Sequence, residues 1–272
     1  MRNIDCVAVR QKVAALIERC LIEPDGAVTE KLENISDAPL ATFAAKLIAE
    51  NNRIAKEKRV FACQDTGQAL LIVRLGDEAY CPGLFHALED AVRTAYSPAR
   101  KSVADPLTRL NTKDNTPPII ETELVPGDAL EISFLAKGAG SENMAKLYML
   151  KPADGEDGII SSVVDAVNLG GRNACPPLVV GVGIGGVAET ACMLSKRALL
   201  RPIGSFSPRE DVARLEKIAL EKVNALGIGV AAFGGSNTAL AVNIEVAPTH
   251  IGMLPVAVNL QCHSLRHGTV TL

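Results

Sequence analysis

An α/β fold of the mixed α+β kind, with β-sheets flanked by helices, is what this sequence predicts. Segments of helical periodicity and short apolar runs of β-branched residues interleave from one end of the chain to the other. Hydrophobic residues make up 48% and charged residues 22%, the balance of a globular protein. Aromatics are only 3% with no Trp, so the core must be assembled from Ala, Val, Leu and Ile, with 22 glycines allowing close approach. The 272 residues suffice for one large domain or two modest ones, and residues 1–272 are read as a single domain.

Residues 6–22 form an amphipathic helix, with Val9, Val13, Leu16, Ile17 and Leu21 at helical spacing. Asp37-Ala38-Pro39 opens a second helix that runs to about Ile54. Ala69–Leu75 is a short apolar run ending at Gly76-Asp77, a buried strand. Residues 83–96 are helical again. Residues 97–118 carry four prolines among Asn, Thr and scattered charge. A long polar loop of this kind inside a compact chain is functional or disordered. Ile119–Leu124 and Leu130–Leu135 read as a strand pair joined at the turn Pro126-Gly127-Asp128, and Lys137–Asn143 as a flexible Gly-rich loop. A helix at about 159–169, a strand at 178–182 and helices at 187–199 and 208–225 follow. Strands are expected at 228–233, 238–246 and 255–260.

Several function classes are disfavoured at once. A net charge of −3 provides no basic field for nucleic acid. Residues 1–23 are too charged for a signal peptide. The most apolar stretch, Leu178–Leu194, is broken by four glycines and Glu189, which argues against a membrane span. A cytoplasmic protein is therefore expected. The seven cysteines are odd in number and follow no export sequence, so a disulfide framework is not expected. No CxxC pair occurs. Any metal site must be assembled from distant parts of the chain.

Gly181-Val182-Gly183-Ile184-Gly185-Gly186 matches G-x-G-x-x-G after an apolar strand and before a helix, the setting of a dinucleotide fingerprint. The carboxylate expected about 20 positions on, for a ribose hydroxyl, is missing. A dinucleotide-binding oxidoreductase domain is thus the alternative from another class. The plainer reading is a tight strand–turn–helix packed through its glycines.

Three cysteines stand at the edges of apolar segments beside polar or Pro/Gly residues: Cys63 in Cys63-Gln64-Asp65-Thr66-Gly67, Cys175 in Ala174-Cys175-Pro176-Pro177, and Cys262 in Gln261-Cys262-His263. Spacing alone leaves packing and ligation both open. These segments, with Asn111-Thr112…Asn115-Thr116-Pro117, Ala136–Ser141, Gly181–Gly186 and Leu254–Asn259, resemble class I fumarate hydratases, and equally the alpha subunit of L(+)-tartrate dehydratase. The likeness runs in order from about residue 35 to the end.

The resemblance implies a single cluster-binding domain holding a [4Fe-4S] cluster through Cys63, Cys175 and Cys262. One iron would then lack a thiolate, be open to substrate and be sensitive to oxidants. It implies hydration and dehydration of a small dicarboxylate, fumarate to (S)-malate first and tartrate to oxaloacetate as the alternative. Gln64 and Asp65 match residues that touch the substrate, Asp65 also as a catalytic proton carrier. Arg100 matches an arginine that grips a substrate carboxylate, with Arg109 its rival. Gly140 matches a pocket glycine, the register among Gly138, Ala139 and Gly140 being open. His250 matches a catalytic histidine. His263 and His267 are expected near the last ligand or exposed, and His86 to be an ordinary helix residue. The family's second domain, the beta domain, is expected to be absent from this chain. A separate beta subunit in a heterodimer or heterotetramer is therefore expected to complete the active site, with little turnover from this chain alone.

Overall fold

The computed structural model describes residues 1–272. In chain order its elements are β1 (Arg2–Asn3), α1 (Cys6–Ile22), α2 (Gly26–Glu33), α3 (Pro39–Lys58), β2 (Gln68–Gly76), β3 (Ala79–Tyr80), α4 (Leu84–Ala95), β4 (Ile119–Val125), β5 (Leu130–Lys137), α5 (Ala139–Glu142), β6 (Lys146–Leu150), α6 (Gly155–Gly170), β7 (Leu178–Gly186), α7 (Ala188–Ala198), α8 (Glu210–Asn224), β8 (Ala239–Thr249), β9 (Leu254–Gln261) and β10 (His267–Thr271). The mixed α/β class is as the sequence predicts. The residues gather into two compact units. The first is Met1–Asp25, Asn52–Ala139 and Arg266–Leu272; the second is Gly26–Asn51 and Gly140–Leu265.

In the first unit the sheet order is β10-β5-β2-β4. The expected pairing of β4 with β5 does not occur, because β2 lies between them, parallel to β4 and antiparallel to β5. The reason is burial. Leu70, Leu71, Ile72 and Val73 are all buried, so β2 needs cover on both faces and takes a central place. Helix α1 packs Val9, Val13, Leu16 and Ile17 against Leu88, Ala91 and Val92 of α4 and against the sheet, where Phe134 and Ile132 are fully buried. Asp5 caps α1, its carboxylate accepting the N–H groups of Val7 (2.9 Å) and Ala8 (3.3 Å).

The second unit has the order β6-β9-β7-β8, with β7 parallel to β8 and antiparallel to β9. Strand β7 does not stop at residue 182 but runs through the glycine motif to Gly186. Its alternation explains this. Val180, Val182 and Ile184 point into a core with Ile160, Val163 and Val167 of α6 and Leu215 and Ala219 of α8. Gly181 and Gly183 point the other way, where a Cβ would lie 2.1 Å from the Ser195 carbonyl oxygen and 2.0 Å from that of Ala191 on α7. The glycines let a helix lie directly on the strand. They do not form a loop of bare amides, since β7 is hydrogen-bonded on both sides. The turn comes only at Gly185 and Gly186, both at positive φ.

Other boundaries move for local reasons. Lys137–Asn143 is not a flexible loop: β5 extends to Lys137 and Ala139–Glu142 form one helical turn. Residues 228–233 are not a strand. Ala231 and Ala232 have positive φ, outside the β region that non-glycine strand residues occupy, and Val230–Ala232 form a 3-10 turn. No helix is long and apolar enough to cross a membrane.

Candidate functional site

In the first unit, the segment from Cys63 to Gly67 leads into β2 and is fixed along its length. Cys63 is half-buried, its sulfur 3.8 Å from Oε1 of the exposed Gln64. Asp65 closes an Asx turn by accepting the Gly67 N–H at 2.9 Å, and its other carboxylate oxygen accepts the Ala139 N–H at 2.9 Å. Its carbonyl accepts Nη1 of Arg266, a guanidinium only 1% exposed, at 2.7 Å. Gly67 has φ +69°, and a Cβ there would stand 3.0 Å from the Ala136 carbonyl carbon, so only glycine lets the segment lie against β5. The buried Thr66 hydroxyl meets Ser102 Oγ at 2.8 Å and donates to the Arg100 carbonyl at 3.2 Å.

The 97–118 loop is ordered by its own polar side chains. The buried Asn115 accepts the Ser102 N–H at 2.7 Å and donates to the Arg100 carbonyl at 3.0 Å. The Arg100 backbone is thereby held beside Thr66, while its side chain is exposed. Arg109 is also exposed, at φ +60°, in a turn organised by Asp105. Asp114 anchors the loop's far end. It accepts the Thr116 hydroxyl (2.7 Å) and N–H (3.1 Å) and Nε of Arg93 (3.0 Å). The Thr116 hydroxyl first, then the Thr116 amide and the Arg93 guanidinium, hold the Asp114 carboxyl down at about 2. A depressed carboxyl stabilises above its unfolded value and loses that contribution as pH falls through its folded one. The loop is therefore expected to stay protected from pH 7 to about 4 and to loosen only near pH 2. Asp114→Ala should open it at neutral pH, read as faster tryptic cleavage after Lys101, Arg109 and Lys113.

In the second unit, α6 passes through a 3-10 turn at Gly171–Ala174 to Cys175, which is exposed with φ 55° and ψ 70°. The Cys175 carbonyl accepts the His263 N–H at 3.3 Å. The two places meet because β9 runs antiparallel to β7, with Val179 opposite Gln261. Cys262 is half-buried, with Nε2 of the fully buried Gln261 3.8 Å from its sulfur. Gly140 joins them: a Cβ there would stand 3.3 Å from the Asn173 carbonyl oxygen. The structure thus brings Gly140, Cys175 and Cys262 into one neighbourhood. Cys63, Gln64, Asp65 and Arg100 form another in the first unit. Within neither unit do three His, Cys, Asp or Glu side chains gather at ion-binding spacing.

The sequence reading missed Glu142, Lys196 and Asn259. Glu142 pairs with Lys196 of α7 and accepts Nδ2 of the buried Asn259 at 3.4 Å. The one available sign was a buried amide inside the apolar run of β9. His250 is exposed on the turn between β8 and β9, its Nδ1 accepting the Gly252 N–H at 3.1 Å, which leaves the proton of the neutral ring on Nε2. It lies at the Gly186 end of β7, whereas Cys262 lies at the Val179 end. His267 sits on β10 and pairs with Asp25 at 3.0 Å. His86 stacks edge-on against Phe85 on α4. Cys192 is half-buried on α7, its thiol pushed up mainly by burial.

Known proteins match this chain along nearly all its length. The family described as "Fumarate hydratase (Fumerase)" matches residues 10–271. A Methanocaldococcus jannaschii protein named "Putative L(+)-tartrate dehydratase subunit alpha" is 44% identical over 233 residues, 82% of each chain. The L(+)-tartrate dehydratase subunit alpha of Escherichia coli K12 is 33% identical over 255 residues, 89% of this chain and 84% of that one. The Shigella sonnei protein of the same name is equally similar. With this much of its length matched, the chain belongs to the fumarate hydratase (Fumerase) family.

Proposed function

We propose that this chain is the alpha subunit of an iron–sulfur hydro-lyase that adds water to, or removes it from, a small dicarboxylate. The carrying observation is the family match along residues 10–271. The family description favours fumarate and (S)-malate as the pair. The names of the relatives favour L(+)-tartrate and oxaloacetate, and they also favour a separate beta subunit.

The donor set fits a [4Fe-4S] cluster. Cys63, Cys175 and Cys262 are half-buried or exposed, and all three stand outside the helices and strands. Cys20, by contrast, is sealed in the core with its thiol pushed up to about 11 by burial. Thiolates are the donors such a cluster takes. Cys63, Cys175 and Cys262 would hold such a cluster, which would supply Lewis-acid chemistry toward a substrate hydroxyl. The remaining work falls to side chains of this chain. Asp65, with an N–H on each carboxylate oxygen, is held in one orientation with lone pairs to spare, suited to carrying a proton. Arg100 presents a planar fork to a carboxylate. Gln64, exposed beside Cys63, offers an amide donor to a small diacid. His250 has a proton on an outward-facing nitrogen, but β7 separates it from the Cys262 end by about 26 Å. A catalytic His250 therefore meets substrate somewhere other than at Cys175 and Cys262 of its own sheet.

The test is the anaerobically reconstituted chain with a candidate beta subunit. About four irons and four sulfides per alpha chain are expected, with turnover of fumarate, of L(+)-tartrate, or of both. An iron-loaded pair that hydrates neither fumarate nor dehydrates malate or tartrate would refute the reading.

A further inference from the structure

Two cysteines outside the proposed ligand set lie against each other. The sulfurs of Cys6 and Cys81 are 3.1 Å apart, both residues are half-buried, and the Cys6 thiol also donates to the Pro82 carbonyl at 2.7 Å. The backbone builds this meeting. Strands β1 and β3 pair in parallel, Arg2 opposite Ala79 and Asn3 opposite Tyr80. The Arg2 N–H reaches the Glu78 carbonyl at 2.7 Å and the Ile4 N–H reaches that of Tyr80 at 2.9 Å. The chain then turns at the Asp5 cap, which places Cys6 at the first position of α1 facing Cys81 at the mouth of α4. Asp5, Val7, Pro82 and Gly83 around the pair are exposed, so a small reagent can reach it. No other use for the two thiols follows from the fold, since both stand at the rim of the core rather than in its centre.

We propose that Cys6 and Cys81 form an oxidisable dithiol, a modification site that closes to a disulfide on reaction with a small-molecule disulfide and ties the start of α1 to the β3–α4 turn. In the first step the Cys6 thiolate attacks one sulfur of the reagent R–S–S–R, forming a mixed disulfide and releasing R–S⁻, which takes up the Cys6 proton. In the second, the Cys81 thiolate attacks Cys6 Sγ, the S–S bond to R breaks, and a second R–S⁻ leaves as the thiol. Two protein thiols are oxidised and one reagent disulfide is reduced to two thiols. Burial and the neighbouring Cys6 sulfur push the Cys81 thiol up to about 12, which makes Cys6 the first of the two to react. The site rests on the first unit alone and is independent of the hydro-lyase reading.

The experiment uses the full-length chain, treated without oxygen with oxidised glutathione, alkylated, and digested with trypsin. Cys6 and Cys81 fall on separate peptides, Asn3–Arg10 and Leu75–Arg93, each with one cysteine. The expected result is a linked peptide two hydrogens lighter than the pair, formed many-fold faster than any link involving Cys20 or Cys192. A higher thermal midpoint without reductant should accompany it and vanish in Cys6→Ser, which keeps a donor toward Pro82. Both peptides remaining alkylated, or stopping at glutathione adducts without closure, would overturn the proposal. So would an equal midpoint shift in Cys6→Ser.

Discussion

Replacing Cys175 by alanine is expected to remove the brown chromophore, the iron and the sulfide together, and with them all turnover. Cys175 is exposed, in a left-handed backbone conformation at the end of a 3-10 turn, and its sulfur packs in no core. Its loss should therefore cost the fold little, and the thermal midpoint of the cluster-free chain should hardly move. Cys192→Ala is the matched comparison. That thiol is half-buried on α7 and lies outside the proposed ligand set, so its loss should cost about 1 kcal/mol of packing and leave metal content unchanged. Iron and acid-labile sulfide, measured per chain with a urea unfolding curve, separate the two. Equal metal content in the two variants would sink the assignment of Cys175 as a ligand.

The second large effect is structural. Gly183→Ala should destabilise the second unit by about 3 kcal/mol or more, lowering its midpoint by roughly 10 °C if it still folds. A methyl there would stand 2.0 Å from the Ala191 carbonyl oxygen and 2.6 Å from the Ser195 nitrogen. These are backbone atoms of α7, so the whole helix must lift from β7, carrying Lys196 with it. Two comparisons isolate the cause. Gly26→Ala has nothing within 4 Å, opens α2 and should be neutral or slightly stabilising. Gly204→Ala also has open space but a φ of +87°, and should cost about 1 kcal/mol from the backbone alone. A Gly183 variant no worse than the Gly204 one would mean that α7 does not rest on the strand as closely as the structure has it.

Where local pattern and tertiary need coincide, the sequence was readable. Helix α1 was legible because Val9, Val13, Leu16 and Ile17 repeat at helical spacing and are the residues that the sheet and α4 bury. Strand β7 was misjudged at its end because glycines read as turn residues. Only the helix lying on them explains why every second residue lacks a side chain. The turn at Pro126-Gly127 suggested a hairpin, but a turn fixes only direction, and β2, buried along its middle, had the stronger claim to the central position. Strands β6 and β10 mix exposed and half-buried residues and carry no period to detect. In the site, Cys63, Cys175 and Cys262 stood out because each breaks from an apolar run beside turn residues. The Glu142–Lys196–Asn259 contacts were invisible because they join residues 54 and 117 positions apart. The distance between His250 and Cys262 was also hidden, because the chain spends the twelve positions between them crossing to the opposite end of β7.

Strand β10 is the outer neighbour of β5, and the pair Ser133 and Thr269, in hydrogen-bond contact at 2.8 Å, are 136 residues apart in sequence. On a ribosome adding roughly 5–20 residues per second, β5 waits on the order of ten seconds for that neighbour to be made. Throughout the wait its edge offers unpaired N–H and C=O groups beside Ile132 and Phe134, the kind of surface on which nascent chains stick to one another. Closing so long a loop is also slow once both strands exist. Synthesis rate and chaperone supply, rather than native-state stability, are therefore expected to govern how much of this protein a cell recovers in folded form.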